Sequence, residues 1–524
     1  MSWTRRLSDY LDANAAARGG AEALVTERAR LTHAALRAEV RRLARAMLAL
    51  GIRRGERVAL LLPNDEAWVA LFFAAASIGA VTVPLNTRWK APEIAFALRR
   101  AQCVAVFAAP AFLSQDFRAL LLEAEPAVAT GLPGAALPSL RAAVFTAGEP
   151  PAGAIGWEAF RALDAGEAAL ESAAAAVTAE DDLLVQFTSG TTAHPKGVLL
   201  THHNMLRNAA ACAERLGVRA EDRYLNCRPF FHVAGSTLSL LVCMVTGATL
   251  VTPPTFEAGA ALRLLEAERC TLTSGNDAIF QLLLAHPAFG RARLHLRGGW
   301  AAAGPETMRR IAEELGMREV CWAYGLSEAS PNVAMSDHRE PLEARIAGGA
   351  HPHPGIAVRI APDGEIQLKG WSVMKGYVGD EAATAAAFTP DGWLRTGDLG
   401  SIGPDGRLRL AGRLKDVIRV GGENMAPAEV EEVLSTHPAV ALAQVVGVPD
   451  ARLGEVPVAF VQLRDGAAAT AEELLAWLKP KVAGFRLPRR LWFVPGFESI
   501  GMTASGKVQK ARLREHARAL IGGG

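Results

Sequence analysis

The sequence lacks the features that mark disulfide-rich, zinc-binding and nucleic-acid-binding proteins. Its six cysteines are scattered through apolar segments without any Cys-x-x-Cys pair, which favours buried free thiols in a reducing compartment. Lysine and arginine number 56 against 54 aspartates and glutamates, and the formal net charge of +2 gives no electrostatic footprint for nucleic acid or an anionic membrane. We therefore expect no nucleic-acid partner.

Targeting signals and membrane spans are also missing from the pattern. No apolar stretch follows the arginines near the N-terminus, and the last residues form neither a prenylation box nor a peroxisomal address. The most apolar run, residues 68–85, contains Ser77, Gly79 and Pro84, so we interpret it as a buried helix that turns into a buried strand. These features predict a cytoplasmic protein with no transmembrane segment.

Helix and strand patterns alternate along most of the chain. With 524 residues, of which 50% are hydrophobic, the chain is too long for a single core and has ample apolar content for several. The alternation over residues 20–130, resumed from Asp181, predicts an α/β fold of layered subdomains with largely parallel sheets. Residues 127–180 are rich in alanine, glycine and proline, and we expect a long surface connection with fragmentary structure there.

Turn signals change the pattern after Gly355. Three Pro-Asp-Gly sequences, which favour tight turns, separate short strand patterns and predict a small β-rich, barrel-like subdomain at about residues 355–412. A further α/β section of about 110 residues follows, long enough for a separate small domain. We therefore predict an N-terminal domain over residues 1–414 and a C-terminal domain over residues 415–524.

One stretch, residues 188–197, has a composition suited to phosphate. It reads Thr-Ser-Gly-Thr-Thr-Ala-His-Pro-Lys-Gly and lies between two apolar runs, so we expect a strand-loop-strand connection. Glycines let backbone N–H groups approach an anion, hydroxyls add donors, and Lys196 adds a positive charge. The Walker A spacing is absent. Taken alone, the stretch is equally compatible with a flexible surface loop.

Four further stretches give this loop its context. They read Pro-Phe-Phe-His-Val-Ala-Gly at 229–235, Tyr-Gly-Leu-Ser-Glu at 324–328, Thr-Gly-Asp at 396–398 with Gly-Arg-Leu-Lys-Asp at 412–416, and Thr-Ala-Ser-Gly-Lys at 503–507. Together, and in this order, the five stretches resemble the acyl-adenylate-forming superfamily, which includes acyl-CoA synthetases, adenylation domains and firefly luciferases. The resemblance covers essentially the whole chain and implies a large AMP-binding domain followed by a small mobile one.

The resemblance implies an ATP site. The phosphates would be held by the loop residues Thr188, Ser189, Gly190, Thr191, Thr192 and Lys196. Tyr324 would lie against the adenine, and Ser327 would reach the α-phosphate. Asp398 would accept both ribose hydroxyls with the help of Arg413. The alternatives are a turn aspartate at 398 and a core aromatic at 324.

The chemistry of acid activation accounts for two more residues. A carboxylate that attacks the α-phosphate of ATP needs positive charge around the transition state and a metal that neutralises the leaving pyrophosphate. Glu328 offers the hard oxygen ligand that Mg²⁺ prefers, and Lys507 would bridge the attacking carboxylate and the α-phosphate. The alternatives are a helix-start carboxylate and a solvated lysine. With Lys196 and His232, these residues form the predicted catalytic set.

The start of the C-terminal section is implied to serve a second half-reaction. Lys415 stands near the family's hinge position, and Gly421, Gly422 and Glu423 resemble the loop that lines the pantetheine tunnel of coenzyme A. The two glycines suit the close passage of a thiol arm, and a simple hairpin turn is an alternative that is compatible with this role. The small domain would rotate so that Lys507 and this loop visit the site in different half-reactions.

The acyl pocket carries partial information about the acid. Amino-acid-activating relatives have an aspartate in the region of His232, so the resemblance implies an acid without an α-amino group. Trp300 and Ala302 belong to a stretch that resembles the family segment flooring the pocket, where a bulky indole would favour short or compact acids or stack on an aromatic ring. Packing alone is the alternative for Trp300. Asn276 makes a polar patch near the acyl tail conceivable. Fatty, short, branched and aryl acids all stay open.

The resemblance thus implies an ATP-dependent carboxylic acid–CoA ligase, connected with fatty acid metabolism, that forms an acyl-adenylate and pyrophosphate and then acyl-CoA and AMP. Its partners would be a small carboxylic acid, ATP and coenzyme A, with a homodimer as a further expectation. Two alternatives are an acyl-AMP ligase that loads a carrier protein's phosphopantetheine and a catalytically idle binding protein of the same fold. Two residues depart from the family pattern: Ala193 replaces a glycine and Gly501 a proline.

Overall fold

Hydrophobic side chains form one large core and two smaller ones. The computed structural model describes residues 3–188, 195–502 and 508–522. The large core extends from Leu7 to Leu408, and the smaller cores begin at Ile418 and Val446. The chain is therefore a mixed α/β protein with a large N-terminal part and a small C-terminal part, which confirms the predicted fold class. Among its described helices, none is both long enough and apolar enough to cross a membrane.

Helices and strands alternate over residues 20–130, as predicted, and short elements continue the pattern up to Thr188. The strands are β1 (Glu22–Val25), β2 (Arg30–Thr32), β3 (Arg57–Leu61), β4 (Val81–Pro84), β5 (Cys103–Ala108), β6 (Ala111–Phe112), β7 (Gln115–Asp116), β8 (Ala142–Phe145), β9 (Ile155–Gly156) and β10 (Asp182–Thr188). The helices are α1 (Leu7–Arg18), α2 (His33–Ala49), α3 (Glu66–Ser77), α4 (Ala91–Arg100), α5 (Phe117–Ala124), α6 (Trp157–Arg161) and α7 (Glu167–Ala175).

The middle of the chain continues the alternation and then turns to strands. The strands are β11 (Lys196–Thr201), β12 (Arg223–Leu225), β13 (Thr249–Val251), β14 (Leu272–Thr273), β15 (Gly275–Asn276), β16 (Gly298–Ala302), β17 (Glu319–Gly325), β18 (Asn332–Met335), β19 (Ile356–Ile360), β20 (Glu365–Gly370), β21 (Gly376–Tyr377), β22 (Leu394–Ile402) and β23 (Leu408–Arg413). The helices are α8 (His202–Leu216), α9 (Val233–Gly235), α10 (Val242–Thr246), α11 (Ala258–Ala267), α12 (Asp277–Ala285), α13 (Pro305–Glu313), α14 (Leu342–Ile346) and α15 (Glu381–Ala387), with a π-helix at Ser236–Leu241.

Two large sheets organise the N-terminal part. Among the described residues, one sheet has the order β18-β17-β16-β14-β12-β13-β1-β2, with β15 beside β16, and the other has the order β21-β11-β10-β4-β3-β5-β8-β9. The central pairs are parallel in both, for example β12 with β14 and β3 with β4. Ligands of such sheets bind beyond the carboxyl ends of the strands. The segments that follow β10, β12 and β16 are therefore the places to look for a site.

The apolar run at residues 68–85 is a buried helix followed by a buried strand, as predicted. Helix α3 begins after Asp65, whose side chain accepts a hydrogen bond from the Trp68 backbone N–H at 2.8 Å. Strand β4 follows and lies between β3 and β10. Trp68 packs on Phe230 with 4.9 Å between ring centroids, so this core helix supports the segment that contains His232.

The expectation of a long surface connection with fragmentary structure over residues 127–180 is wrong at residues 142–145, which form a buried strand. Strand β8 is fully buried and pairs in parallel with β5, with Ala105 opposite Ala142. The run Ala-Ala-Val-Phe is short and lies within alanine-rich sequence, so its own pattern is weak. The neighbouring strand, rather than local propensity, decides its conformation.

The three Pro-Asp-Gly turns occur where the sequence predicts them. In each, the glycine N–H donates to the carbonyl three residues earlier at 2.9 Å, at Gly364, Gly392 and Gly406. All three glycines have positive φ, which other residues rarely adopt. The turns flank an antiparallel four-stranded sheet of order β19-β20-β22-β23, which is the predicted β-rich region.

The C-terminal part is built on its own sheet. Its strands are β24 (Ile418–Val420), β25 (Glu423–Met425), β26 (Val440–Asp450), β27 (Gly454–Leu463) and β28 (Leu491–Phe493), and its helices are α16 (Pro427–Ser435), α17 (Ala471–Leu478), α18 (Glu498–Gly501) and α19 (Lys510–Gly522). Helices α16 and α17 contribute to one small core, and α19 contributes to the other. The proposed domain boundary at Lys415 lies in the sequence between Leu408 and Ile418, where the cores change.

Candidate active site

The loop at residues 188–197 connects two antiparallel strands. Thr188 ends β10 and Lys196 begins β11, and the two are directly paired. This confirms the strand-loop-strand prediction and places the lysine at the mouth of the loop. The predicted phosphate ligands Ser189, Gly190, Thr191 and Thr192 lie outside the described residues, as does Ala193.

Lys196 and Glu328 meet at one tyrosine. The Lys196 Nζ lies 4.9 Å from the centre of the Tyr377 ring, and the Tyr377 hydroxyl donates to Glu328 Oε1 at 3.0 Å. Burial and the neighbouring carboxylate raise the pKa of the Tyr377 hydroxyl well above its usual range, so it stays a donor. A cation and a carboxylate are thus held side by side through a neutral aromatic group.

Tyr377 is a residue that motif reading missed. It comes to the site because β21 pairs with β11, with Tyr377 opposite Val198. The backbone N–H of Met374 donates to the Glu328 carbonyl at 2.9 Å, which ties the same segment to the carboxylate. The sequence signal that could have pointed to Tyr377 is the rarity of tyrosine. The chain has only four tyrosines, and another of them is Tyr324.

Glu328 suits a magnesium ion that is held by one protein carboxylate and by the phosphates of the substrate. It lies half-buried in a 3-10 turn, Ser327–Ala329, that follows β17. No cluster of three or more histidine, cysteine, aspartate or glutamate side chains suited to a metal occurs within the described ranges. A single carboxylate suits Mg²⁺, which keeps several waters and takes further ligands from phosphates. It does not suit structural zinc, which takes four protein ligands.

A second cluster joins Tyr324, Asp398 and Arg413. The Tyr324 hydroxyl donates to Asp398 Oδ2 at 2.8 Å, and Arg413 Nε pairs with Asp398 Oδ1 at 2.7 Å. Asp398 and Arg413 are directly opposite on β22 and β23. Asp398 is only 3% exposed, so the arginine compensates a buried carboxylate. The aspartate therefore lies within a strand, and the turn alternative for it is wrong.

Tyr324 is a buried aromatic with a defined polar role. Burial is the main cause that raises the pKa of its hydroxyl, and the Asp398 carboxylate adds to this effect. The hydroxyl therefore remains protonated and available to the carboxylate. Ser327 lies half-buried three residues further on, at the start of the turn that holds Glu328. The motif at 324–328 thus contributes Tyr324 to one cluster and Glu328 to the other.

The segment that carries His232 is fixed by side chains from other elements. The His232 Nδ1 accepts a hydrogen bond from the Ala234 backbone N–H at 3.1 Å. Gln186, a buried residue of β10, donates from Nε2 to the Phe231 carbonyl at 2.7 Å. This bond ties the histidine segment to the strand that leads into the phosphate loop. Sequence reading treated Gln186 as part of an apolar run, and its polarity within that run was the signal.

Three of the proposed acyl-pocket residues lie on the paired strands β15 and β16. Trp300 and Ala302 are two residues apart and therefore lie on the same face of β16. Trp300 is buried and Ala302 is exposed. Asn276 on β15 pairs with Ala302 on β16. The Asn276 side chain accepts a hydrogen bond from the Ile279 backbone N–H at 3.2 Å and so caps α12. At Gly299 a Cβ would collide with the Thr273 carbonyl oxygen, so only glycine lets the strands approach.

The predicted hinge and tunnel residues lie on the first strands of the C-terminal part. Lys415 is exposed in a 3-10 turn, Leu414–Asp416. Gly421 and Gly422 form the exposed turn between β24 and β25, with φ of 60° and 93°. The hairpin interpretation is therefore confirmed, and the role of these glycines and of Glu423 toward coenzyme A stays a prediction. Lys507 lies outside the described residues.

The fold has a large α/β part and a small C-terminal part, and the family comparison shows the class of enzyme. The family model for AMP-binding enzymes matches residues 11–378, and the model for the C-terminal domain of AMP-binding enzymes matches residues 429–507. The chain therefore belongs to the AMP-binding enzyme family, and within it to the acyl-CoA synthetases. The resemblance to the acyl-adenylate-forming superfamily is confirmed.

Three relatives illustrate the match. The chain is 41% identical over 498 residues to the 3-[(3aS,4S,7aS)-7a-methyl-1,5-dioxo-octahydro-1H-inden-4-yl]propanoyl:CoA ligase of Mycobacterium tuberculosis, covering 94% of this chain and 95% of the relative. It is 35% identical to the mitochondrial medium-chain acyl-CoA ligase ACSF2 of Rattus norvegicus, covering 98% and 87%. The anthranilate CoA ligase AuaEII, solved with anthranoyl-AMP, shares the fold with a TM-score of 0.86 at 24% identity, covering 100% and 99%.

Proposed function

We propose that this enzyme, an ATP-dependent acid–CoA ligase that works through an acyl-adenylate, acts on a compact carboxylic acid without an α-amino group. The observation that carries the proposal is the convergence of Lys196 and Glu328 on Tyr377, with Glu328 four residues after Tyr324 in the chain. Named relatives activate a bicyclic dioxo acid and medium-chain acids. The buried indole of Trp300 on β16 supports a compact acid.

In the first half-reaction, a carboxylate oxygen attacks the α-phosphorus of ATP. The new oxygen–phosphorus bond forms as the bond to the β-phosphate breaks, and pyrophosphate leaves with the electron pair. In our proposal Lys196 and the loop at 189–192 hold the β- and γ-phosphates, and Lys507 bridges the two reacting groups. Mg²⁺ bound through Glu328 would neutralise charge on the phosphates.

The nucleoside would be held by the second cluster. Asp398 is positioned by Tyr324 and Arg413, and we propose that its oxygens accept the ribose hydroxyls while the Tyr324 ring lies against adenine. Ser327 would donate to the α-phosphate. A carboxylate already ordered by two donors loses little freedom on binding, which favours a defined pose for the α-phosphate.

In the second half-reaction, the thiolate of coenzyme A attacks the acyl carbon. The carbon–sulfur bond forms, the carbon–oxygen bond to the phosphate breaks, and AMP leaves. We propose that a rotation near Lys415 replaces Lys507 at the site by the Gly421–Gly422 turn, where the absence of side chains suits a pantetheine arm.

The test is a screen of acids for pyrophosphate release, followed by AMP formation with and without coenzyme A. We expect at least one non-amino acid to release pyrophosphate and to give acyl-CoA only when coenzyme A is present. Release with amino acids alone would contradict the substrate proposal. Transfer to a carrier protein but not to coenzyme A would favour the carrier-loading alternative.

We further propose that the enzyme is a homodimer in a reducing compartment such as the cytoplasm. All six cysteines are buried and unpaired, as the sequence predicts. Burial raises the pKa of the Cys103, Cys270 and Cys321 thiols to about 12, so they are inert as thiols. Light scattering on the purified chain measures the assembly, and a monomer at all concentrations would exclude the dimer.

A further inference from the structure

Arg228 is a buried arginine that makes no ion pair with a carboxylate of the described residues. It comes three residues after β12 and is only 6% exposed. Its guanidinium Cζ lies 4.9 Å from the centre of the Trp300 ring. Burial lowers the pKa of Arg228 to about 10, and no described carboxylate offsets this effect. The group is therefore still a cation at neutral pH, and a cation without an anion is costly inside a protein.

The contact contains two donors that lack acceptors. Arg228 Nε and Trp300 Nε1 are both buried and have no hydrogen-bond partner among the residues that the structure describes. Most buried donors in native proteins are satisfied, so a pair of orphans in one contact needs a reason. The cation–π contact compensates part of the charge, but it supplies no acceptor for either N–H group.

The position of the pair points toward the acyl group. Arg228 follows β12 and Trp300 lies on β16, and these strands flank β14 in the same parallel sheet. Arg228 thus lies beyond the carboxyl end of β12, where ligands of such sheets bind, and it contacts Trp300 in the middle of β16. Arg228 also precedes His232 by four residues, in a segment fixed by Asn64, which donates to the Arg228 carbonyl at 2.8 Å.

We infer that Arg228 and Trp300 bind an oxygen acceptor on the acyl chain, away from the reacting carboxyl, so that the preferred substrate carries a keto group or a second carboxylate. This inference rests on the proposed function. A purely structural arginine would have its partner within the protein, whereas a substrate-binding one is completed by the ligand. An alkyl acid of the same length would leave both donors unpaired and would be selected against.

The experiment compares three acids of equal length over a series of chain lengths. The probes are the alkyl acid, the same chain with a ketone next to the terminal methyl group, and the matching dicarboxylic acid. At the length that reaches Arg228, we expect kcat/KM for one oxygen-bearing acid to exceed that of its alkyl partner by about tenfold or more. The ketone and dicarboxylate arms identify which oxygen is bound.

Variants then assign the preference. Arg228→Met should reduce the ratio of the two kcat/KM values to near one, and Trp300→Phe, which keeps the ring, should reduce it in part. The ratio is taken within each protein, so a general loss of activity cancels. Arg359→Met is the matched control, because Arg359 also stacks on a tryptophan, Trp393, at 4.5 Å. It should leave the ratio unchanged.

Two results would overturn the inference. One is that alkyl acids are used at least as well as their oxygen-bearing partners at every length. The other is that Arg228→Met and Trp300→Phe both keep the full preference for the oxygen-bearing acid. A rise in the KM for ATP with an unchanged preference counts as this second result. Efficient CoA ligation of alkyl acids alone would still support the proposed function, whereas no pyrophosphate release with any acid would count against that function itself.

Discussion

Removing the hydroxyl of Tyr377 tests whether the tyrosine positions the carboxylate beside the phosphate-loop lysine. Tyr377→Phe keeps the ring under Lys196 and removes the 3.0 Å hydrogen bond to Glu328. A hydrogen bond to a charged group contributes about 1.5–3 kcal/mol. Because 1.36 kcal/mol is tenfold in rate, kcat/KM for pyrophosphate formation should fall about 10- to 150-fold.

Tyr377→Leu removes the ring as well. Loss of the cation–π contact with Lys196 adds about 0.5–1 kcal/mol, a further factor of about 2 to 5. The order of activity is therefore wild type, Tyr377→Phe and Tyr377→Leu. The matched control is Tyr10→Phe, because Tyr10 also lies under a cation, Arg5, at 5.1 Å, but on the first helix.

The assay separates the two half-reactions. Acid-dependent pyrophosphate release reports the first, and thioester formation from supplied acyl-AMP and coenzyme A reports the second. We expect only the first to respond, since in our proposal Glu328 and Lys196 serve the departing phosphates. Wild-type pyrophosphate release in Tyr377→Phe, or an equal loss in both half-reactions, would refute the reasoning.

Three other changes have defined outcomes. Asp398→Asn removes the anion that pairs with Arg413 and should weaken ATP binding by about 2 kcal/mol, or roughly 30-fold, in calorimetric titration; an unchanged Kd contradicts the ribose assignment. Gly422→Ala strains an exposed turn at φ of 93° and should slow thioester formation but not pyrophosphate release. The control Gly466→Ala, also exposed at positive φ, should slow neither step. Equal effects of the two variants on thioester formation would exclude the tunnel role. His202 is buried, and burial lowers its pKa to about 4 from an ordinary 6.5. As the pH falls, the unfolded chain therefore binds the proton first, and the stability that the neutral ring contributes is lost between pH 6.5 and about pH 4. The free-energy difference between wild type and His202→Gln should therefore shrink by about 2 kcal/mol from pH 7 to pH 5 in urea unfolding, and a constant difference would contradict this.

Much of the site follows from sequence because its residues occur in short contiguous motifs. Tyr324 and Glu328 lie in one such run, and Asp398 and Arg413 lie in two runs that strand pairing brings opposite each other. The Pro-Asp-Gly turns were equally predictable, since their conformation is set by three adjacent residues.

The rest depends on contacts between distant segments. Tyr377 reaches Lys196 only through the pairing of β21 with β11, and no local pattern contains that register. Strand β8 is fixed by β5 rather than by its own composition. The sequence marks Arg228 only as the residue before Pro229, and the structure adds its burial against Trp300 and an Nε that lacks a partner among the described residues.

The most direct test of the acyl-adenylate route uses an acid labelled with oxygen-18 in its carboxyl group. Attack of the carboxylate on the α-phosphorus leaves one labelled oxygen on the phosphate when coenzyme A displaces AMP. We therefore expect the product AMP to carry a single labelled oxygen, detected by mass spectrometry. Formation of ADP together with labelled inorganic phosphate would show that the acid attacks the terminal phosphate, and would contradict the account.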